Sequence, residues 1–196
     1  MMTRMKPTQE KEGSEAMKKK TKQVTKFIAE LHNYIENHPQ FRRKTNHKSE
    51  VHIQTEIRPL IVSYLEKYFK DAGYKDFVEK ANKSFYWEGQ EGKFGKARNL
   101  IFGTRNYPDF IITDPYLVAI EYKKSPNGST IKQGIGQSIM HTLCEEFHYV
   151  YFLFHDESEG KRIWNSRDNK AEKNIIDKMW QEFNVFIRFC KPCKDV

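Results

Sequence analysis

Apolar residues recur at helical spacing twice in the first third of the chain. Phe27, Ile28, Leu31, Tyr34 and Ile35 mark a helix over residues 24–37, ended by Asn37-His38-Pro39. Ile53, Ile57, Leu60, Ile61, Tyr64, Leu65 and Phe69 mark a longer one over 49–72, with Gly73 as its stop. Pro59 falls inside that pattern and predicts a kink or a break. Past Lys83 the period changes to that of strands, over 84–88, 99–102, 109–113 and 116–123, with 89–95 as a turn or flexible loop. Asp114-Pro115 joins the last two as a hairpin. A helix follows over 130–145, capped by Ser129 or Thr130. Residues 148–154 are nearly all apolar or aromatic, as in a strand buried on both faces. Residues 156–168 read as polar and irregular, 170–183 as a helix and 185–190 as a final strand. The fold class is therefore α/β, a mixed central β-sheet flanked by helices. It forms a single domain over 23–196 with an N-terminal helical extension. Residues 1–22 carry no aromatic and no period and read as a disordered tail.

Composition adds limits. The chain has 196 residues, 38% hydrophobic and 31% charged, and no apolar run approaches the ~20 residues of a membrane span. The opening MMTRMKPTQEKEG has no apolar core of a secretory signal, and three cysteines cannot all pair internally. Both point to the cytoplasm and away from membranes. The net charge is +8, and residues 1–22 hold seven Lys/Arg against three Glu, half of that excess. A polyanion partner fits this balance, as does a solvated basic tail.

The candidate chemistry lies in the predicted hairpin. Side chains alternate across a strand, so Glu121 and Lys123 share one face while Ile120 and Tyr122 take the other. An ordinary strand does not place Glu and Lys inside VAIEYKK, and such breaks in pattern tend to mark functional sites. With Asp109 on the neighbouring strand, two carboxylates and a lysine meet. A hard cation such as Mg²⁺, with Mn²⁺ as its substitute, takes carboxylate oxygens and binds phosphate oxygens. It also lowers the pKa of a bound water. Asp109 and Glu121 are the candidate metal ligands, and the carbonyl of Tyr122 is a further one. For Lys123 to act as a free base at pH 7 its pKa would have to fall by ~3, a cost of about 4 kcal/mol. A charged Lys123 that orients water and stabilises the pentavalent transition state is the preferred role. Lys93, Lys96, Arg98, Arg105, Lys124 and Lys132 surround the motif as candidate phosphate contacts, although Lys124 points to the other face. The bland alternative is a surface hairpin with a cross-strand ion pair.

Pro108-Asp109 followed by Glu121-Tyr122-Lys123 resembles the PD-(D/E)XK nuclease superfamily, the restriction-endonuclease-like fold, over roughly residues 47–190. The resemblance implies an αβββαβ core and Mg²⁺-dependent cleavage of nucleic acid, with Asp109, Glu121 and Lys123 as catalytic residues. The expected function is a DNA endonuclease of restriction, repair or mobile-element defence type. A catalytically silent nucleic-acid-binding or assembly module on the same fold is the alternative. Double-strand cutting by one site per chain would need a homodimer or two sequential nicks. Members often carry a further Glu on the helix before the sheet. Ile57 and Ile61 fall within ~20° of Glu50 on a helical wheel, and Glu56 lies ~120° away, so Glu50 is the preferred candidate. Some branches carry a Gln on the following helix with a Tyr four residues on. Here Gln137 is followed by His141, and Gln137 is the supporting candidate for placing water or phosphate. Gly134, Gly136 and Ser138 would let that helix lie close to the sheet. Cys190 and Cys193 have the spacing of half a zinc site, which Cys144 and His141 could complete. A frayed C-terminal tail is the plainer reading.

Overall fold

A computed structural model describes residues 7–39, 41, 49–88, 90, 99–101, 104–143 and 147–190, with side chains undescribed in 7–21, 99–101 and 104–106. The chain is mixed α/β. Helix α1 spans Pro7–Asn37, α2 Glu50–Asp71 and α3 Phe77–Lys83. Strands β1 (Phe85–Trp87), β2 (Asn99–Ile101), β3 (Thr104–Asn106), β4 (Phe110–Ile112) and β5 (Val118–Ser125) follow. Helix α4 (Gly128–Leu143) leads to β6 (Tyr149–Asp156). A 3₁₀ turn (Glu159–Lys161), α5 (Arg162–Ser166), α6 (Lys170–Phe183) and β7 (Val185–Phe189) complete the order. No described helix is long and apolar enough to cross a membrane.

The main sheet has the order β1-β4-β5-β6-β7. The pairs β1–β4 and β4–β5 are antiparallel, and β5–β6 and β6–β7 are parallel. Alternation divides the sheet between two cores. Ile120, Tyr122, Tyr151 and Leu153 face α1 and α2, where they meet Ile28, Leu31, Ile53, Ile57 and Ile61. Ala119, Val150, Phe152, Phe154 and Ile187 face the other way, against Ile131, Ile135 and Ile139 of α4 and Met179 of α6. Strand β6 is buried at every position, as its unbroken apolar run predicts.

The predicted elements need four corrections. The helix expected from Val24 begins at Pro7, so from there on the segment expected as a disordered tail is helical. Proline suits a helix start, and the Lys, Glu, Ala and Met that follow are strong helix formers even without an apolar stripe. Helix α2 runs through Pro59 as one element, so the chain does not break there; its buried stripe from Ile53 to Phe69 holds it on both sides. It ends as expected at Gly73. That residue takes a left-handed φ of 86°, Gly73 N–H donates to Lys70 O, and Tyr74 N–H donates to Phe69 O. The strand expected at 99–102 is one arm of a separate hairpin, β2–β3, paired Asn99 to Asn106. Helices α3 and α5 have no counterpart in the sequence pattern. Each buries a single residue, Ala81 and Ile163 respectively, too little to write a helical period.

Candidate functional site

Three segments distant in sequence meet where β4 and β5 lie side by side. Phe110 pairs with Ile120 in the antiparallel ladder, so one residue further out Asp109 falls opposite Glu121. Asp109 sits on a bend before β4 and not on the strand itself. Its Oδ2 accepts the Tyr122 N–H at 2.7 Å and its Oδ1 accepts Gln54 Nε2 at 2.9 Å. Glu121 is 2% exposed, and its Oε1 lies 2.8 Å from Lys123 Nζ. Glu50, in the first turn of α2, has Oε1 3.6 Å from the same ammonium, and its Oε2 accepts the Lys124 N–H at 3.1 Å. Ser49 caps that turn by accepting the His52 N–H at 3.2 Å, which fixes the direction in which Glu50 leaves the helix.

The three carboxylates share one close lysine, and the electrostatics follow from this imbalance. Burial pushes the Asp109 carboxyl up to about 8, with Glu121 adding to the rise and Glu50 a smaller part; Lys123 and the Tyr122 amide pull the other way. Burial alone would lower Lys123, but Glu121, Asp109 and Glu50 outweigh it and hold the ammonium above its ordinary range. Lys123 is therefore a cation at neutral pH.

Helix α4 closes the site from the other core. His141, 1% exposed, places Nε2 3.5 Å from Glu121 Oε2, an oxygen that makes no hydrogen bond among the described residues. The helix lies this close because of Gly134. A Cβ there would stand 2.4 Å from Phe152 Cε2 and 3.1 Å from Lys123 Cγ. Ser138 is fully buried and its Oγ donates to Gly134 O at 2.8 Å, whereas Gly136 is exposed and open where a Cβ would stand. Gln137 is half-buried, with Oε1 enclosed and without a hydrogen bond among the described residues.

Other candidates fall elsewhere. Glu56 lies 3.4 Å from His52 along α2, and it is Glu50 that α2 brings to Lys123. Lys124 takes the opposite face from Lys123. Its Nζ lies 2.6 Å from Glu157 with the side chain 5% exposed, so the structure does not present it as a phosphate contact. Lys132 is exposed on α4. Lys93, Lys96 and Arg98 lie outside the described residues, and Arg105 is on β3 with its side chain undescribed. Cys190 is buried at the end of β7, while Cys144 and Cys193 lie outside the described residues. Two contacts are additions to the sequence reading. Gln54 was legible as a polar residue adjoining an apolar stripe, one turn after Glu50. The approach of His141 to Glu121 had no local signal.

The described residues hold no group of three or more His, Cys, Asp or Glu arranged as a metal site. Two large clefts lie away from the cluster. One, of about 440 Å³, is an apolar groove between α4, α5 and α6. The other, of about 530 Å³, is a polar cleft between α1, α6 and β7. Comparison with protein-family models, with curated proteins and with solved structures gave no match.

Proposed function

We propose that this chain is a divalent-cation-dependent nuclease with a restriction-endonuclease-like core. The observation that carries the reading is the meeting of Glu50, Asp109 and Glu121 around Lys123. The order α2, β1, β4, β5, α4, β6 supports it, being a helix, an antiparallel three-strand set, a crossover helix and a parallel strand.

The residues fit a hard cation. The three acids offer oxygen ligands, negative charge exceeds positive, and Glu121 Oε2 lacks a hydrogen bond among the described residues. Asp109, Glu121 and Glu50 would hold Mg²⁺ or Mn²⁺, with the Tyr122 carbonyl as a further donor. When bound, such an ion polarises a phosphodiester and acidifies water. The chain's own residues do the rest. Lys123, kept charged by its carboxylates, donates to the phosphoryl oxygens as negative charge builds on them and orients the attacking water. The Tyr122 N–H holds the Asp109 carboxyl group in place beside the strand. Gln137 lies one helical turn before His141 and presents an amide for water or phosphate.

Incubating supercoiled DNA, and separately single-stranded DNA and RNA, with the protein in Mg²⁺, Mn²⁺ or EDTA tests the reading. Cleavage that needs the metal and is lost in Asp109→Ala and Glu121→Ala is expected. Undiminished cleavage by Asp109→Ala overturns it. A second reading, a module that binds nucleic acid without cutting, draws on the fact that both Asp109 oxygens already accept hydrogen bonds. Retention of DNA in a salt-dependent gel shift with no cleavage in either metal would favour it.

A further inference from the structure

Gln54 is 8% exposed and adjoins Ile53 in the buried stripe of α2. A primary amide in such a place is costly unless it is hydrogen-bonded. Its bond reaches across 55 residues of sequence to Asp109 Oδ1 at 2.9 Å. The carboxylate needs such a hold. Asp109 stands on a bend just outside β4, where its carbonyl accepts the Glu88 N–H at 3.1 Å; that bond anchors the backbone and leaves the carboxyl group to be held by other donors. Two donors do so, the Tyr122 N–H on one oxygen and the Gln54 amide on the other. Glu50 is one helical turn earlier on the same helix and faces Lys123. Helix α2 thus delivers an acid and the support for a second acid from positions i and i+4.

The character of the donor matters as much as its position. Both donors to Asp109 are neutral. A lysine or arginine at position 54 would also bond Oδ1, but it would bring its own positive charge and repel an incoming cation. A neutral amide orients the carboxyl group and adds no charge that competes with the cation.

We propose that Gln54 is a positioning residue: a neutral hydrogen-bond donor that fixes the Asp109 carboxyl group for a divalent cation without adding a positive charge beside it. This rests on the nuclease reading above. Groups that hydrogen-bond to metal ligands commonly change affinity or activity by roughly 10–100-fold when removed.

Two variants and one resonance test it. Gln54→Met keeps the length and bulk but removes the donor. Gln54→Lys keeps a donor and adds charge. With thermal unfolding confirming that each variant is folded, Mn²⁺ titration should show at least about tenfold weaker binding for both. For Gln54→Met, kcat on DNA should fall while KM stays within about twofold, since the amide does not touch the substrate. Mn²⁺ binding and kcat of Gln54→Met within twofold of the wild type would overturn the proposal, as would a Gln54→Lys variant that binds Mn²⁺ as tightly as the wild type. The third measurement needs neither metal nor DNA: the side-chain amide resonances of Gln54, which should move in Asp109→Ala. Resonances that stay in place overturn the proposal. A wild type that takes up no Mn²⁺ and cuts nothing removes the nuclease reading instead, and the metal role of Gln54 with it.

Discussion

Glu121 and Lys123, two positions apart on β5, share a face of the sheet and meet at 2.8 Å where Glu121 is 2% exposed. A buried carboxylate depends heavily on such a partner. Lys123→Met keeps much of the bulk and removes the charge. It is expected to destabilise the protein by about 3–5 kcal/mol, the scale of breaking a buried ion pair from one side. Urea unfolding in EDTA measures this. Adding Mn²⁺ should restore part of the loss in the variant, because the cation supplies charge that the lysine no longer provides. A loss below about 1 kcal/mol would mean that Glu121 takes its support from elsewhere.

Asp109 sets a pH dependence with a definite sign. Its folded-state pKa is raised from 3.8 to about 8, so between those values the native state keeps a proton that the unfolded chain has released. The contribution is fully favourable below about pH 4 and is lost as pH rises through 8, at up to about 1.4 kcal/mol per pH unit. Asp109→Asn carries no such proton. Without metal, it should unfold at a higher temperature than the wild type at pH 8.5, and most of this advantage should be gone at pH 5. Scanning calorimetry at the two pH values in EDTA checks both, and a variant less stable at pH 8.5 contradicts the assignment.

An opposite limb comes from the other side of the sheet. His32 on α1 is 7% exposed, and its Nδ1 lies 2.8 Å from the Tyr151 hydroxyl. Burial, helped by the charge of Arg188, lowers its pKa from 6.5 to about 4, and burial does the same for His155 beside Lys124. These imidazoles are neutral in the fold and take up protons on unfolding. The stability they confer is complete above pH 6.5 and is lost as pH falls toward 4. His32→Gln should flatten the acid limb between pH 6.5 and 4. An unchanged slope in urea melts would argue against a buried neutral His32.

Two glycines on α4 make a matched pair. Gly134→Ala places a methyl 2.4 Å from the buried Phe152 ring, and the expected cost is about 1–3 kcal/mol despite the better helix propensity of alanine. Gly136→Ala meets nothing within 4 Å and should stabilise by about 0.5–1 kcal/mol. Chemical denaturation of both variants tests the close approach of α4. Cleavage should fall in Gly134→Ala, because Lys123 Cγ lies on the same side at 3.1 Å.

What could be read before the structure depended on how local the cause was. The alternation in VAIEYKK put Glu121 and Lys123 on one face, and the helical phase of α2 chose Glu50 over Glu56; both follow from backbone periods of a few residues. The fate of Lys124 could not be read this way, since its partner Glu157 belongs to a different segment. The partners of Gln54 and His141 were hidden for the same reason, the contacts being made 55 residues away in one case and across helix packing in the other. The helical start of α1 was missed on different grounds. Its first turns carry no apolar stripe in the sequence, so there was no helical period to detect.

Asp109 stands outside β4 and is held by one donor from α2 and one from β5, which ties the state of this carboxylate to the docking of two elements far apart in the chain. No strand pairing among the described residues runs through α2, so its first two turns, which carry Glu50 and Gln54, can loosen while the strands stay paired. In that partly opened form the sheet survives, but Asp109 and Glu50 lose their places together. The acid cluster is thus a logical AND of two tertiary contacts. Its loss should run ahead of global unfolding, with amide exchange rising first at the N-terminal turn of α2 while β6 stays protected.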